Sequence, residues 1–260
     1  MRVARLARGS ERFYAELSGG RAWVLTGAPW HGGVRTGERI EEVDALGRGL
    51  GLTRLCPVEP SKIVGIGRNY RAHAEELGNE VPEEPLLFLK PPSSLIGPDG
   101  TIVLPPSSER VEHEAELGLV IGERLTRASE DTCLDAIWGL TIVGDITARD
   151  LQRRDKTWTR GKGHDTFCPV GPVVVQGLSD ADLTIRCTVN GEERQLGHTR
   201  DMVFRPAALL VAISEVMTLE PGDVIATGTP EGVGPLVAGD RLVIEIAGIG
   251  ALSLSVERRA

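Results

Sequence analysis

The chain has 260 residues, an apolar fraction of 41% and 29 Lys+Arg against 37 Asp+Glu, which leaves a formal net charge of −8. A chain of this length buries roughly 70–75% of the surface its unfolded form exposes, enough for one large domain and a small appendage without disulfide stapling. The acidic balance, with no basic run longer than Arg153-Arg154, argues against nucleic acid as a partner, and no apolar stretch approaches the ~20 residues of a bilayer span.

Residues 1–57 carry short apolar or alternating runs, Arg2 to Leu6, Phe13 to Leu17 and Ala22 to Leu25, separated by glycine-containing turns. They predict a small N-terminal β-rich domain built as a meander. No long apolar segment or small-residue cleavage site follows the first charges, so the expected location is cytoplasmic. The main domain, 58–260, opens on the apolar strand Ile63 to Ile66. Asn69 to Leu77 has helical composition and ends at Gly78, and Asn79 to Pro85 is an acidic, proline-containing loop suited to a mobile flap.

Further strands are predicted at Leu86 to Leu89, Thr101 to Leu104, Leu140 to Val143 and Val170 to Val175, and an alternating pattern begins at Arg110. Ser129 is placed to cap a helix through Ile137, and a short helix is expected from Ala148 to about Arg154. Asn190-Gly191 between two β-patterned runs signals a hairpin, and Pro206 opens a helix to about Val216. The C-terminus returns to strands at 224–227, 241–246 and 251–256. Cys56, Cys133, Cys168 and Cys187 lie far apart with no C-x-x-C pair, which excludes a zinc ribbon or redox motif and leaves them as buried small hydrophobes. Strands outnumber helices and do not alternate with them, so the fold class is mainly β with some α, in several antiparallel or mixed sheets.

The segment from Val111 to Gly122 carries the clearest chemistry. With strand periodicity, Glu112, Glu114 and Glu116 share one face, and His113, Ala115, Leu117, Leu119 and Ile121 the other. Like charges beside an apolar run repel and are costly to desolvate, a conflict that a divalent cation settles; a solvent-facing acidic strand is the alternative. Asp145 ends an apolar strand just before a helix. With the glutamates it makes an all-oxygen donor set suited to Mg2+ or Mn2+, its other use being a helix cap.

His73 and Glu76, three apart on one helix, share a face on which the carboxylate can orient the imidazole as a general base; a plain surface pair is the alternative. Lys162, between glycines, can reach a carboxylate or oxyanion, and the turn 226–234, which includes Thr229, offers hydroxyl and N–H groups to anionic oxygens. An exposed loop lysine and a plain β-turn are the corresponding alternatives. Gly65-Ile66-Gly67 is no dinucleotide fingerprint, because Tyr70 stands at the third glycine position. His113, on the apolar face, is expected to be a core histidine.

The segments GRNYRAHAEE at 67–76, FLKPPSS at 88–94, VEHEAELGLVIG at 111–122, GDITARDLQ at 144–152, GKGHDTFCPVGP at 161–172 and ATGTPEGVG at 226–234 occur in the order of the fumarylacetoacetate hydrolase superfamily, which the chain resembles from about Pro60 onward. Residues 1 to about 57 resemble the small N-terminal domain of bacterial members. The resemblance implies a mixed β-roll of stacked sheets, usually a homodimer, with one Mg2+ or Mn2+ held by the carboxylates matching Glu114, Glu116 and Asp145. It implies a water-activating dyad at His73 and Glu76, and contacts to a bound 2-oxo acid from Arg149, Gln152, Lys162 and Thr229. Gly144 departs from the asparagine of many members. The implied activity, of a kind found in aromatic catabolism, is metal-dependent hydrolysis of the C–C bond of an acylpyruvate. Isomerisation of 2-hydroxyhepta-2,4-diene-1,7-dioate and decarboxylation of an oxaloacetate-type acid are the alternatives on the same site. A non-catalytic 2-oxo-acid-binding protein is a remote alternative.

Overall fold

The computed structural model describes residues 1–259. Arg2–Arg8, Glu11–Ser18, Arg21–Leu25 and Arg35–Glu41 form the antiparallel meander expected from the alternating N-terminal pattern. This meander is hydrogen-bonded edge-on to the rest of the chain, because Arg2 and Val3 pair with Val175 and Val174 of the strand Cys168–Val175. The result is a 12-stranded sheet running from the meander to Ile63–Gly67 and Leu86–Lys90.

A 5-stranded sheet packs on this large sheet. It contains the hairpin Thr184–Val189 and Glu192–His198, the C-terminal strands Arg241–Ile246 and Gly250–Arg258, and Thr101–Leu104. Leu117, Leu119 and Ile142 of the large sheet share one buried core with Ile185, Ile244 and Leu252 of the smaller one. Burial of these branched side chains from both sheets is the main stabilising term, at about 1.5–3 kcal/mol for each fully buried side chain. Asn190 (φ 54°) and Gly191 (φ 85°) both adopt the left-handed conformation that a two-residue hairpin turn requires, as their identities predict. No helix among the described residues is long and apolar enough to cross a membrane.

The structure departs from sequence expectation in two places that bear on the site. The helix after Ser129 ends at Cys133, followed by one 3-10 turn at Leu134–Ala136, because Ile137–Gly144 is claimed by the sheet. Its register against Ala115–Ile121 is continuous over most of its length, so cross-strand pairing overrides local helix propensity. The second departure is a break in the alternating strand at Glu114. Val111–His113 joins a separate 3-stranded sheet with Thr147–Ala148 and Gly234–Pro235, and Ala115–Ile121 joins the large one.

Candidate functional site

The break at Glu114 is the foundation of the site. Ala115 sits opposite Gly144, and Glu116 opposite Val143, so Glu114 and Asp145 emerge side by side at the ends of neighbouring strands. The Asp145 N–H donates to the Glu114 carbonyl at 2.9 Å. Glu114, Glu116 and Asp145 are all buried, and each offers one carboxylate oxygen within 4.8 Å of the others. Glu112 does not join them, contrary to the single acidic face that strand periodicity implies. Beyond the break its carboxylate turns to Arg110 at 2.5 Å and Arg149 at 2.6 Å. Asp145 caps no helix; its oxygens accept from Lys90 at 2.6 Å and Lys162 at 2.5 Å.

Lys162 also donates to Glu114 at 2.7 Å, and Arg149 reaches Glu114 at 2.5 Å and the Gln152 side-chain oxygen at 2.6 Å. Lys162 is therefore no exposed loop lysine. Burial pushes the Glu114 carboxyl up, but Lys162 and Arg149 outweigh it and hold Glu114 well below the usual carboxylate range. Burial lowers the Lys162 ammonium and Arg149 guanidinium in turn; Asp145 and Glu114 reverse this for Lys162, and Glu114 and Glu112 for Arg149, so both end above their ordinary values.

Glu116 is the exception. Its one protein partner is the Gly228 N–H at 2.8 Å, and burial, with Asp145 and Glu114 beside it, drives its carboxyl well above the ordinary value. An uncompensated buried carboxylate costs several kcal/mol. Glu112, Glu114 and Asp145 each pair with cations, Arg110 and Arg149 for the first, Arg149 and Lys162 for the second, Lys90 and Lys162 for the third, and Glu116 alone of the four has none among the described residues. A hard divalent cation fits this donor set, since it takes oxygen ligands and gives Glu116 the positive partner it lacks.

The helix Arg71–Glu76 closes one side of the site. His73 Nδ1 lies 3.5 Å from Glu76 Oε2, close enough for electrostatic orientation, yet it has no hydrogen-bond partner among the described residues. Glu76 is itself held by the Gly232 N–H at 3.1 Å. Gly232 has φ 91°, and a Cβ there would lie 2.0 Å from the Arg194 carbonyl oxygen, so only glycine lets the loop approach Glu76 this way. Desolvation lowers the His73 pKa; Glu114 opposes that and Arg149 assists it. The imidazole is thus kept neutral, the form a general base requires.

Glu114, Glu116, His73, Arg149, Lys162 and Thr229 all line one cavity of about 330 Å³, with Gln152 at its edge and Ile66, Leu77, Phe88 and Trp158 as its apolar wall. The structure therefore brings together the residues singled out in sequence, with Asp145 beneath the cavity and Glu76 behind His73. The Thr229 hydroxyl donates to the Ala115 carbonyl at 2.9 Å and accepts from Gln195 at 2.8 Å, which leaves only a lone pair for a ligand. His113 is a core histidine, with Nδ1 3.1 Å from Gln195 Oε1. All four cysteines are unpaired thiols, three buried and Cys56 half-buried.

Sequence reasoning missed Lys90 and Gln195. Lys90 ends the apolar strand Leu86–Lys90 and is 1% exposed; a lysine closing such a run is its only local signal. Gln195 is fully buried on the inward face of its strand and joins Ala115, His113, Thr229 and the Pro230 carbonyl. Replacing Gln195 by leucine leaves these groups unpaired, and urea unfolding is expected to show a loss of about 2–4 kcal/mol. A loss under ~1 kcal/mol would mean that water replaces the glutamine.

Residues 62–257 match the family described as Fumarylacetoacetate (FAA) hydrolase C-terminal. The mitochondrial oxaloacetate tautomerase FAHD1 of Arabidopsis thaliana is 46% identical over 205 residues, 76% of this chain and 92% of that protein. Among solved structures, the 2-hydroxyhepta-2,4-diene-1,7-dioate isomerase of Mycobacterium marinum superposes with a TM-score of 0.90 at 38% identity, over 100% of this chain and 99% of that one. Fumarylpyruvate hydrolase from Pseudomonas aeruginosa, solved with Mn2+ and pyruvate, gives a TM-score of 0.72 at 31% identity over 80% of this chain and 92% of that one. The match over 62–257, on the same strands that build the carboxylate cluster, carries the assignment: the chain belongs to the fumarylacetoacetate hydrolase family of enzymes.

Proposed function

We propose that this enzyme hydrolyses the C–C bond of an acylpyruvate-type 2,4-dioxo acid, with one Mg2+ or Mn2+ held by Glu114, Glu116 and Asp145. When bound, the ion supplies a Lewis acid for the carboxylate and 2-oxo oxygens of the substrate. The observation that carries the reading is a buried histidine with a carboxylate behind it, lining the same cavity as Glu114 and Glu116, whose carboxylates cluster with that of Asp145.

His73, with Nδ1 directed at Glu76, presents Nε2 to the cavity and takes a proton from water there. The resulting hydroxide adds to the distal carbonyl carbon. The C–C bond to the methylene then breaks, and its electron pair passes into the pyruvate fragment as an enolate, which takes up a proton to give pyruvate beside the acid of the acyl group. Lys162 and Arg149, kept cationic by their carboxylate partners, stand where the anion binds. Gln152, fixed through its oxygen by Arg149, has its NH2 group left to donate.

Incubation with acetylpyruvate or fumarylpyruvate in the presence of Mg2+ is expected to yield pyruvate and the free acid in equal amounts. A second reading, isomerisation or tautomerisation of a 2-hydroxy-dienedioate or oxaloacetate, is favoured by the M. marinum and Arabidopsis relatives. It needs only proton movement at His73 and no attack by water. Solvent deuterium entering the substrate without C–C cleavage would replace the first reading by the second. Consumption of oxaloacetate alone, with loss of CO2, would indicate decarboxylation.

The His73 environment sets the pH response. Its pKa lies below the ordinary 6.5, so the neutral base is present above that lowered value and is lost as the pH falls through it. The acid limb of kcat/KM is expected to have its inflection below 6.5 and to vanish in His73→Ala. An inflection at or above 7 would contradict this.

A further inference from the structure

Arg68 sits in the cavity wall between Gly67 and Asn69, at the turn from strand Ile63–Gly67 into the helix. Its neighbours are fixed: a Cβ on Gly67 would lie 2.8 Å from the Trp158 ring, and the Asn69 amide donates to the Phe204 and Thr227 carbonyls at 3.0 and 2.8 Å. Arg68 itself adopts φ 57°, a left-handed conformation that a long side chain rarely takes. Strain of this kind persists where the surroundings enforce it, and it gathers at ligand-binding positions.

Arg68 is half-buried and makes no ion pair or hydrogen bond among the described residues. Among the described residues, every other buried or half-buried lysine or arginine, from Arg2 and Arg5 to Lys90, Lys162 and Arg205, donates to a carboxylate or carbonyl. An unpartnered guanidinium in the wall of a ligand cavity has its planar fork of donors free for an anion supplied from outside. Arg153, also without a partner, lines the same cavity from its exposed rim. Away from the carboxylate cluster the lining is mainly the apolar wall of Ile66, Leu77, Phe88 and Trp158, with the Asn79 amide beside it.

From this arrangement we infer that Arg68 is a specificity-determining residue, receiving a second carboxylate at the far end of the substrate, so that the site selects dianionic 2-oxo acids over monoanionic ones. The inference rests on the reading of the cavity as a 2-oxo-acid site. The chelating head lies over Glu114 and Glu116, an apolar or unsaturated middle passes Phe88 and Trp158, and the distal carboxylate meets the planar fork of Arg68.

Isothermal titration calorimetry of the full-length, Mg2+-loaded protein tests this with 2-oxoglutarate and 2-oxopentanoate, which have the same chain length and differ in the distal carboxylate. The wild type is expected to bind the diacid about 10- to 100-fold more tightly. R68Q is expected to bring the two within about 3-fold, with the monoacid unchanged. R68N, a residue that tolerates the left-handed backbone, repeats the test should R68Q fail to fold. Equal binding of both acids by the wild type, equal weakening of both by the variants, or binding of neither acid would overturn the inference. Turnover of acetylpyruvate and fumarylpyruvate measured alongside keeps the two claims apart. The expected binding pattern without C–C cleavage would retain Arg68's role and reject hydrolysis.

Discussion

Glu116→Gln is expected to leave the metal-free protein as stable as the wild type or more so, while removing metal binding and lowering turnover by at least about 10²–10³-fold. Glu116 is the cluster member whose removal deprives no lysine or arginine of a partner; its one protein contact is the Gly228 N–H, which an amide oxygen also accepts. Glu114 and Asp145 behave differently. Each anchors two buried cations, Lys162 and Arg149 for the first, Lys90 and Lys162 for the second. Asp145→Asn therefore costs about 3–5 kcal/mol in the same unfolding assay, because Lys90 loses its carboxylate, whereas Glu114→Gln costs less, since Lys162 keeps Asp145 and Arg149 keeps Glu112.

The pH dependence separates the cases further. Glu116 binds its proton more tightly in the folded than in the unfolded chain. Its contribution to stability is complete below the unfolded carboxylate pKa and is lost as the pH rises through the raised folded value. Metal-free Glu116→Gln should lack that decline. Addition of Mg2+ or Mn2+ should raise the melting temperature of the wild type and leave that of the variant unmoved. A metal-induced shift of equal size in both proteins would remove Glu116 from the ligand set.

His73→Ala is expected to lower acylpyruvate hydrolysis by about 10²–10⁴-fold while metal binding stays intact, the range associated with loss of a positioned general base. The substitution is mild for the fold, because the Nδ1 atom already lacks a hydrogen-bond partner. Glu76→Gln should produce a smaller loss of about 10-fold, since Glu76 acts only by orienting the ring across 3.5 Å. Decarboxylation of oxaloacetate, where it occurs, needs no activated water and should survive in His73→Ala. Steady-state kinetics on both substrates, with metal content measured on the same samples, makes the comparison. Hydrolysis undiminished in His73→Ala would transfer the base to another residue.

Local pattern carried much of this architecture. Asn190-Gly191 defined its hairpin because both residues tolerate the turn's backbone angles, and the alternation that singled out Glu114 and Glu116 leads to two residues that line one cavity, although the regular strand begins only at Ala115. The same periodicity misplaced Glu112, since the chain changes sheets at Glu114 and nothing local marks a change of pairing partner. Lys90 meets Asp145 across 55 positions of sequence, and Gln195 meets Ala115 across 80. Contacts of that span depend on strand register and not on composition. Arg68 is a further case: it stands in a motif quoted for its histidine and glutamate, and its lack of a partner emerges only once every other enclosed cation is seen to have one.

The central claim is that three carboxylates at a strand break hold one divalent ion on which C–C hydrolysis depends. It is tested most directly by titrating Mg2+ or Mn2+ into EDTA-stripped protein while following ultraviolet loss of the acylpyruvate enol. Turnover absent from the stripped protein and restored in full at one ion per chain, with pyruvate as product, is the predicted result. Full turnover in the stripped protein, or restored metal binding with no reaction of any acylpyruvate, would contradict the account.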